Sequence, residues 1–167
     1  MTDTETVQNP GEVRLQSLEG TSRPVSEWLT TFHMAAVVLD PFTHESSWIL
    51  DTARRVLDAF SGADVRVAFV VSGTDSAGAA SFMGPLAEST LSLADPDRGF
   101  ARSLGLTTLP AFVAIRQDGS TIGTAEGWDP EAGRKVAAAL AELTAWTRPE
   151  IPAAGDPAPY AGTPAAS

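Results

Sequence analysis

Two apolar runs, Ala35-Ala-Val-Val-Leu39 and Val65-Arg-Val-Ala-Phe-Val-Val71, constrain this chain more than any other feature. A strand with one buried face alternates apolar and polar residues. These runs are apolar at nearly every position and read as strands covered on both faces. Between them, Ile49, Ala53, Val56, Leu57 and Phe60 recur at the spacing of one helical face. Asp51, Arg54, Arg55 and Asp58 lie opposite, and Ser61-Gly62 ends the segment, so one helix is predicted over residues 44–60. Strand, amphipathic helix and strand in this order form a right-handed parallel crossover, with helices packed on a sheet.

The rest of the chain continues the alternation. Val13 to Leu18 reads as a short strand turning at Glu19-Gly20, and Ser26 can cap a short helix carrying Trp28 and Leu29. A small-residue helix near 76–83 ends at Gly84-Pro85, and a third strand covers Thr90 to Leu93. Asp95-Pro96-Asp97 opens a helix with Phe100 and Leu104 inside and Gly105 as its stop. Ala111 to Arg116, turning through Asp118-Gly119 into Thr121 to Ala125, reads as a hairpin. The last helix, about 131–146, follows an Asp129 cap and Pro130 and buries Val136, Ala139, Leu140 and Leu143. The fold class is therefore α/β, with one domain over residues 13–147. The polar leader 1–12 and the Ala/Pro-rich tail 148–167 are predicted to be disordered.

Composition removes several functional classes. The 167 residues contain no cysteine, which excludes disulfides, thiolate metal sites and cysteine nucleophiles. His33 and His44 are the only imidazoles, too few for a typical zinc site without carboxylate ligands, so no metal or cofactor is implied. The formal net charge is −10, and the basic residues occur as isolated pairs such as Arg54-Arg55 and Arg134-Lys135, which argues against nucleic acid. No stretch is long and apolar enough to span a bilayer, and the first residues lack a basic start followed by an apolar core; a cytoplasmic location is expected.

Three segments in this order resemble the thioredoxin superfamily, in particular its TlpA-like and peroxiredoxin-like branch. They are the strand Ala35–Leu39 running into a Pro/Phe/Thr loop and a helix, the segment Leu91-Ser-Leu-Ala-Asp-Pro-Asp-Arg-Gly-Phe-Ala-Arg-Ser-Leu-Gly-Leu106, and Thr107-Thr-Leu-Pro-Ala-Phe-Val-Ala-Ile115 with Asp118-Gly119. The resemblance covers roughly residues 13–146. It implies a three-layer fold with a central mixed sheet, and a cis Leu109–Pro110 bond that aims the Leu109 backbone at substrate peptides. It also places Glu45-Ser-Ser-Trp48 where a Cys-x-x-Cys pair would lie or, aligned on Phe42-Thr43, Ser46 at a peroxidatic position. A serine hydroxyl does not ionise near neutral pH and cannot pass through a sulfenic acid, so both family chemistries are lost.

The candidate site is the former active-site face: Thr43, His44, Glu45, Ser46, Trp48, Thr108, Leu109, Pro110 and Trp128. Asp40, His44, Glu45 and Ser46 can be read as a Ser-His-acid grouping. The competing and stronger reading has Thr43 or Ser46 capping the helix and Glu45 complementing its positive end. Trp48, at the position that points inward in the family, would fill space left by the thiols or serve as core packing. Trp128 would border the Leu109 groove or cover the sheet end. The favoured function is a redox-inactive module binding a protein or peptide through this face, without enzymatic activity. The alternatives are an enzyme, small-ligand or metal binder using His44 and Glu45, and an accessory factor in thiol-redox homeostasis that acts through a cysteine-bearing partner.

Overall fold

The computed structural model describes residues 10–164, with the side chains of His44 and Glu45 outside the described part. The order of elements follows the apolar pattern. A 3-10 turn at Pro10–Glu12 leads into β1 (Arg14–Ser17) and β2 (Ser22–Pro24), and a second turn covers Val25–Trp28. Next come β3 (His33–Leu39), α1 (His44–Trp48), α2 (Leu50–Ala59) and β4 (Val65–Ser72). Two helices, α3 (Ser76–Met83) and α4 (Leu86–Ser89), precede β5 (Ser92–Asp95) and α5 (Gly99–Ser103). The chain continues through β6 (Thr108–Leu109), β7 (Ala111–Ile115), β8 (Thr121–Glu126), α6 (Pro130–Thr144) and β9 (Thr163–Pro164).

Seven strands form one mixed sheet in the order β2-β1-β5-β4-β3-β7-β8, and β6 pairs with β9 in a separate ribbon. The β3–β4 and β4–β5 pairs are parallel, whereas β7 runs antiparallel to both β3 and β8. Both central strands are buried on two faces, as their composition requires. Ala35, Val37 and Leu39 of β3 pack with Phe69 and Val71 of β4 beneath α2, α3 and α6. Met34, Ala36 and Val38 point the other way, with Val70, toward Trp28, Leu29 and Phe100.

Several boundaries differ from the sequence reading. The helix predicted over 44–60 breaks at Ile49 into α1 and α2, and Ser26 does not cap its turn, whose N-cap residue is Pro24. The third strand lies two residues later, at Ser92–Asp95. Asp95 is therefore strand, not helix; it still serves the next helix, because its Oδ2 accepts from Phe100 N at 3.0 Å and Ala101 N at 3.3 Å. On α6 the buried stripe is Gly133, Val136, Ala137, Leu140 and Ala141. Ala139 and Leu143, predicted inside, are exposed because they fall off that i, i+3, i+4 face.

The largest difference concerns the tail. Residues 148–164 pack on the domain, while 165–167 and the leader residues 1–9 lie outside the described residues. Trp146 donates its indole N–H to Ala59 O at 2.6 Å and fixes the start of the return path. Ile151 is buried beside Gly133, and its carbonyl accepts from Arg134 Nη1 at 3.0 Å. Asp156 then takes Thr52 Oγ1 at 2.9 Å on one oxygen, and Arg55 Nη2 at 2.8 Å and Ala153 N at 2.7 Å on the other. Few large apolar residues are needed for this, because carbonyls and one carboxylate do most of the holding. The segment's prolines also lower the entropy lost on ordering.

Candidate functional site

The C-terminal end of β3 leads into Asp40-Pro41-Phe42-Thr43, and this loop is folded back onto α1. Asp40 Oδ1 accepts from Phe42 N at 2.9 Å, while Ser46 Oγ accepts from Asp40 N at 2.8 Å. Ser46 is fully buried, so its hydroxyl is a structural tie with no access to a substrate. Thr43 occupies the N-cap position of α1 without a side-chain cap hydrogen bond. Capping by Thr43 or Ser46, the structural role read from the sequence, is therefore replaced by the Ser46–Asp40 tie. No cluster of three or more His, Asp or Glu side chains suited to a metal occurs among the described residues. Trp48 corrects a further expectation. It does not fill the interior but is 56% exposed, and it meets Tyr160 edge-on with ring centres 5.6 Å apart. Phe42, in the loop before α1, is 70% exposed.

The opposite wall is β6 and the turn after β8. The Leu109–Pro110 peptide is cis, as is Ile151–Pro152. Glu126 Oε1 accepts from Thr107 N at 2.7 Å, Thr107 Oγ1 at 2.9 Å and Thr108 N at 2.9 Å, which ties the loop before β6 to the end of β8. Partial burial pushes the Glu126 carboxyl up, but these donors outweigh it and hold its pKa below the usual value. Gly127 N donates to Pro110 O at 2.7 Å, placing Trp128 next to the cis-proline turn. Beneath these residues runs a narrow apolar crevice lined by Val37, Ile49, Val56, Pro110, Trp128 and Ile151.

The chain's own C-terminal segment lies across this wall. Trp128 N donates to Tyr160 O at 2.8 Å, Tyr160 N donates to Trp128 O at 3.1 Å, and the Trp128 indole N–H reaches Pro157 O at 2.7 Å. β9 then runs antiparallel to β6, with Thr163 opposite Leu109 and Pro164 opposite Thr108. Two glycines make the approach possible. A Cβ on Gly127 would stand 2.5 Å from Ala161 O, and one on Gly162 would stand 2.6 Å from Leu109 O; both residues also have positive φ. Thr108, Leu109, Pro110 and Trp128 thus lie together along the C-terminal segment, Trp48 joins them through Tyr160, and Ser46 lies below the surface.

The sequence reading missed Glu126, Gly127, Tyr160 and Gly162. The signal available for Tyr160 was its isolation: it is the only tyrosine of the chain, set in a stretch otherwise made of small residues and proline.

No protein-family model and no curated protein matches this sequence. Solved structures do. A secreted disulfide oxidoreductase of Mycobacterium tuberculosis, homologous to E. coli DsbE, superposes with a TM-score of 0.54 at 16% identity, covering 70% of this chain and 84% of that one. DsbF of the same bacterium gives 0.60 at 19% identity, covering 80% and 99%. The chain has the thioredoxin-like fold. A hypothetical protein from Sinorhizobium meliloti 1021 superposes on it with a TM-score of 0.66 at 13% identity, covering 95% and 92%. This thioredoxin-like chain differs from a thiol–disulfide oxidoreductase in having no cysteine. No described helix is long and apolar enough to cross a membrane.

Proposed function

We propose that this chain is a redox-inactive thioredoxin-like module that binds a protein partner by laying an extended segment of it along Thr108–Pro110 and Trp128. One observation carries the reading: the β6 edge pairs with an extended segment, supplied in this structure by Thr163–Pro164. Strand addition of this kind draws affinity from main-chain hydrogen bonds and leaves side-chain pockets to select the sequence. The exposed aromatics Phe42 and Trp48 lie on the α1 side and offer apolar contact to such a segment. The buried Ser46 hydroxyl, already engaged by Asp40, speaks against hydrolysis at the same face.

The test is selection of displayed random peptides on the full chain and on its Gly162→Ala variant, in which the added methyl group crowds Leu109 O and lifts β9. Binders are expected to shift the amide resonances of Thr108, Leu109 and Trp128. Failure to enrich any peptide on either protein, or shifts confined to another surface, would overturn the reading.

A further inference from the structure

We infer that residues 157–164 are a displaceable occupant of the docking groove, so that the partner is an extended, uncharged segment carrying an aromatic residue and, two positions further on, a glycine. The inference rests on the docking reading above and adds to it both the ligand's chemistry and a competitor within the chain.

The occupant itself supplies the argument. The stretch Pro157-Ala-Pro-Tyr-Ala-Gly-Thr-Pro164 carries no charge. Its aromatic ring meets the edge of Trp48, and its next carbonyl, Ala161 O, lies against Gly127. At the following position any side chain would run into Leu109 O, so the groove accepts only glycine there without moving. These contacts read as a specificity pattern of an aromatic residue and, two positions on, a glycine, with the exposed Ala161 side chain between them unselected.

The hold on this stretch is also different in kind from the hold on the residues before it. Upstream, Asp156 is clamped by Thr52, Arg55 and the Ala153 amide, and Ile151 is buried. Beyond Asp156, the attachments include the Trp128–Tyr160 backbone pair, the Trp128 indole, the half-buried Tyr160 ring against Trp48 and the edge of the core, the Thr163 hydroxyl on Leu109 O at 3.4 Å and a two-residue strand. None of these buries a large aliphatic side chain. Asp156 is thus the fixed point about which the final stretch can leave while the preceding stretch stays. A groove occupied from within binds outside ligands more weakly, by the fraction of time it stands open.

The experiment uses three full-length proteins and one probe, a synthetic peptide of residues 157–164, with peptides from the selection above as a second set. Wild type should bind the probe at least tenfold more weakly than Gly162→Ala, whose own tail is lifted. Gly127→Ala should bind neither set, because its methyl group occupies the place of any segment's Ala161-like carbonyl. A probe with alanine in place of its glycine should lose at least tenfold on Gly162→Ala. Circular dichroism and thermal melts confirm that all three proteins are folded. Equal binding of selected peptides to wild type and Gly162→Ala would overturn the competition while leaving the docking reading intact. No binding of any peptide to either protein would instead remove the docking reading. Sedimentation should show wild type as a monomer; a concentration-dependent dimer lost in Gly162→Ala would mean that the tail seats on a second copy, and would overturn the inference.

Discussion

Val37 of β3 and Ile151 of the C-terminal segment line the same crevice, but the two segments are held there by different physics. β3 is zipped between β4 and β7, and its side chains from Met34 to Leu39 are buried on alternating faces of the sheet. The C-terminal segment has almost no apolar side chains to bury, and it stays in place through an ion pair, carbonyls that receive arginine and indole N–H groups, and two glycines that let backbones touch. Apolar content therefore predicts which residues form a core, but it does not predict which residues are ordered on one.

The strongest way to break this comparison is in the sheet. Phe69 is fully buried at the centre of β4, and Phe69→Ala should lower unfolding stability by about 3–5 kcal/mol in a urea titration. If protease cleavage within residues 148–164 rises only in step with global unfolding, the segment depends on the core. If cleavage there is already faster than global unfolding in the wild type and does not rise in Phe69→Ala, the two segments are held independently and the contrast stands.

Asp95 gives a second handle, of about 3 kcal/mol. Burial pushes its carboxyl up to about 6, against the bonds from Phe100 N and Ala101 N, and Oδ1 has no hydrogen-bond partner. The folded protein therefore holds a proton that the unfolded chain, with an ordinary aspartate near 3.8, has released. The contribution is fully present below about pH 4 and is lost as the pH rises through about 6. Denaturant midpoints measured from pH 4 to 7.5 should fall across that window, and Asp95→Asn, which keeps an acceptor for both N–H groups, should flatten the slope. A flat wild-type profile would contradict the buried carboxyl. Glu126, whose pKa is held below the usual value, acts in the opposite sense and at lower pH.

The smallest expected effect is in the tail itself. Asp156→Ala removes the acceptor for Arg55 and Thr52 and should cost about 1–2 kcal/mol, because Arg55 is partly exposed and regains water. The loss should be local: faster amide exchange over residues 150–164 with the exchange of β3 and β4 unchanged. Equal acceleration in both regions would join the two segments into one cooperative unit.

The sheet was legible in the sequence because burial on both faces writes itself as an unbroken apolar run, and Ala35–Leu39 and Val65–Val71 could hardly be anything else. The caps were partly legible. Asp129 does accept from Glu131 N and Ala132 N, whereas Asp95 reaches its helix from the strand before it, a contact across a turn that spacing alone does not reveal. Half of the candidate site was equally readable: Thr108, Leu109, Pro110 and Trp128 converge because β6 precedes β7 and Trp128 follows β8. The other half was not. Trp48 turned outward because an aromatic partner arrives from more than a hundred positions away, and Ser46 turned inward to receive the Asp40 amide. The tail reads as low complexity because its anchors are single residues, each unremarkable alone.

The crossing of Gly127 and Gly162 has a consequence for how this sequence can drift. Both positions have positive φ, and the facing segment adds to that constraint a direct clash with any side chain. A substitution at either one lifts the segment and releases its counterpart from the clash, so the second change adds less harm than it would alone. The two sites should therefore vary together across related chains: both glycine where the tail returns to the groove, and both held only by their positive φ, which Asn or Asp can also adopt, where it does not.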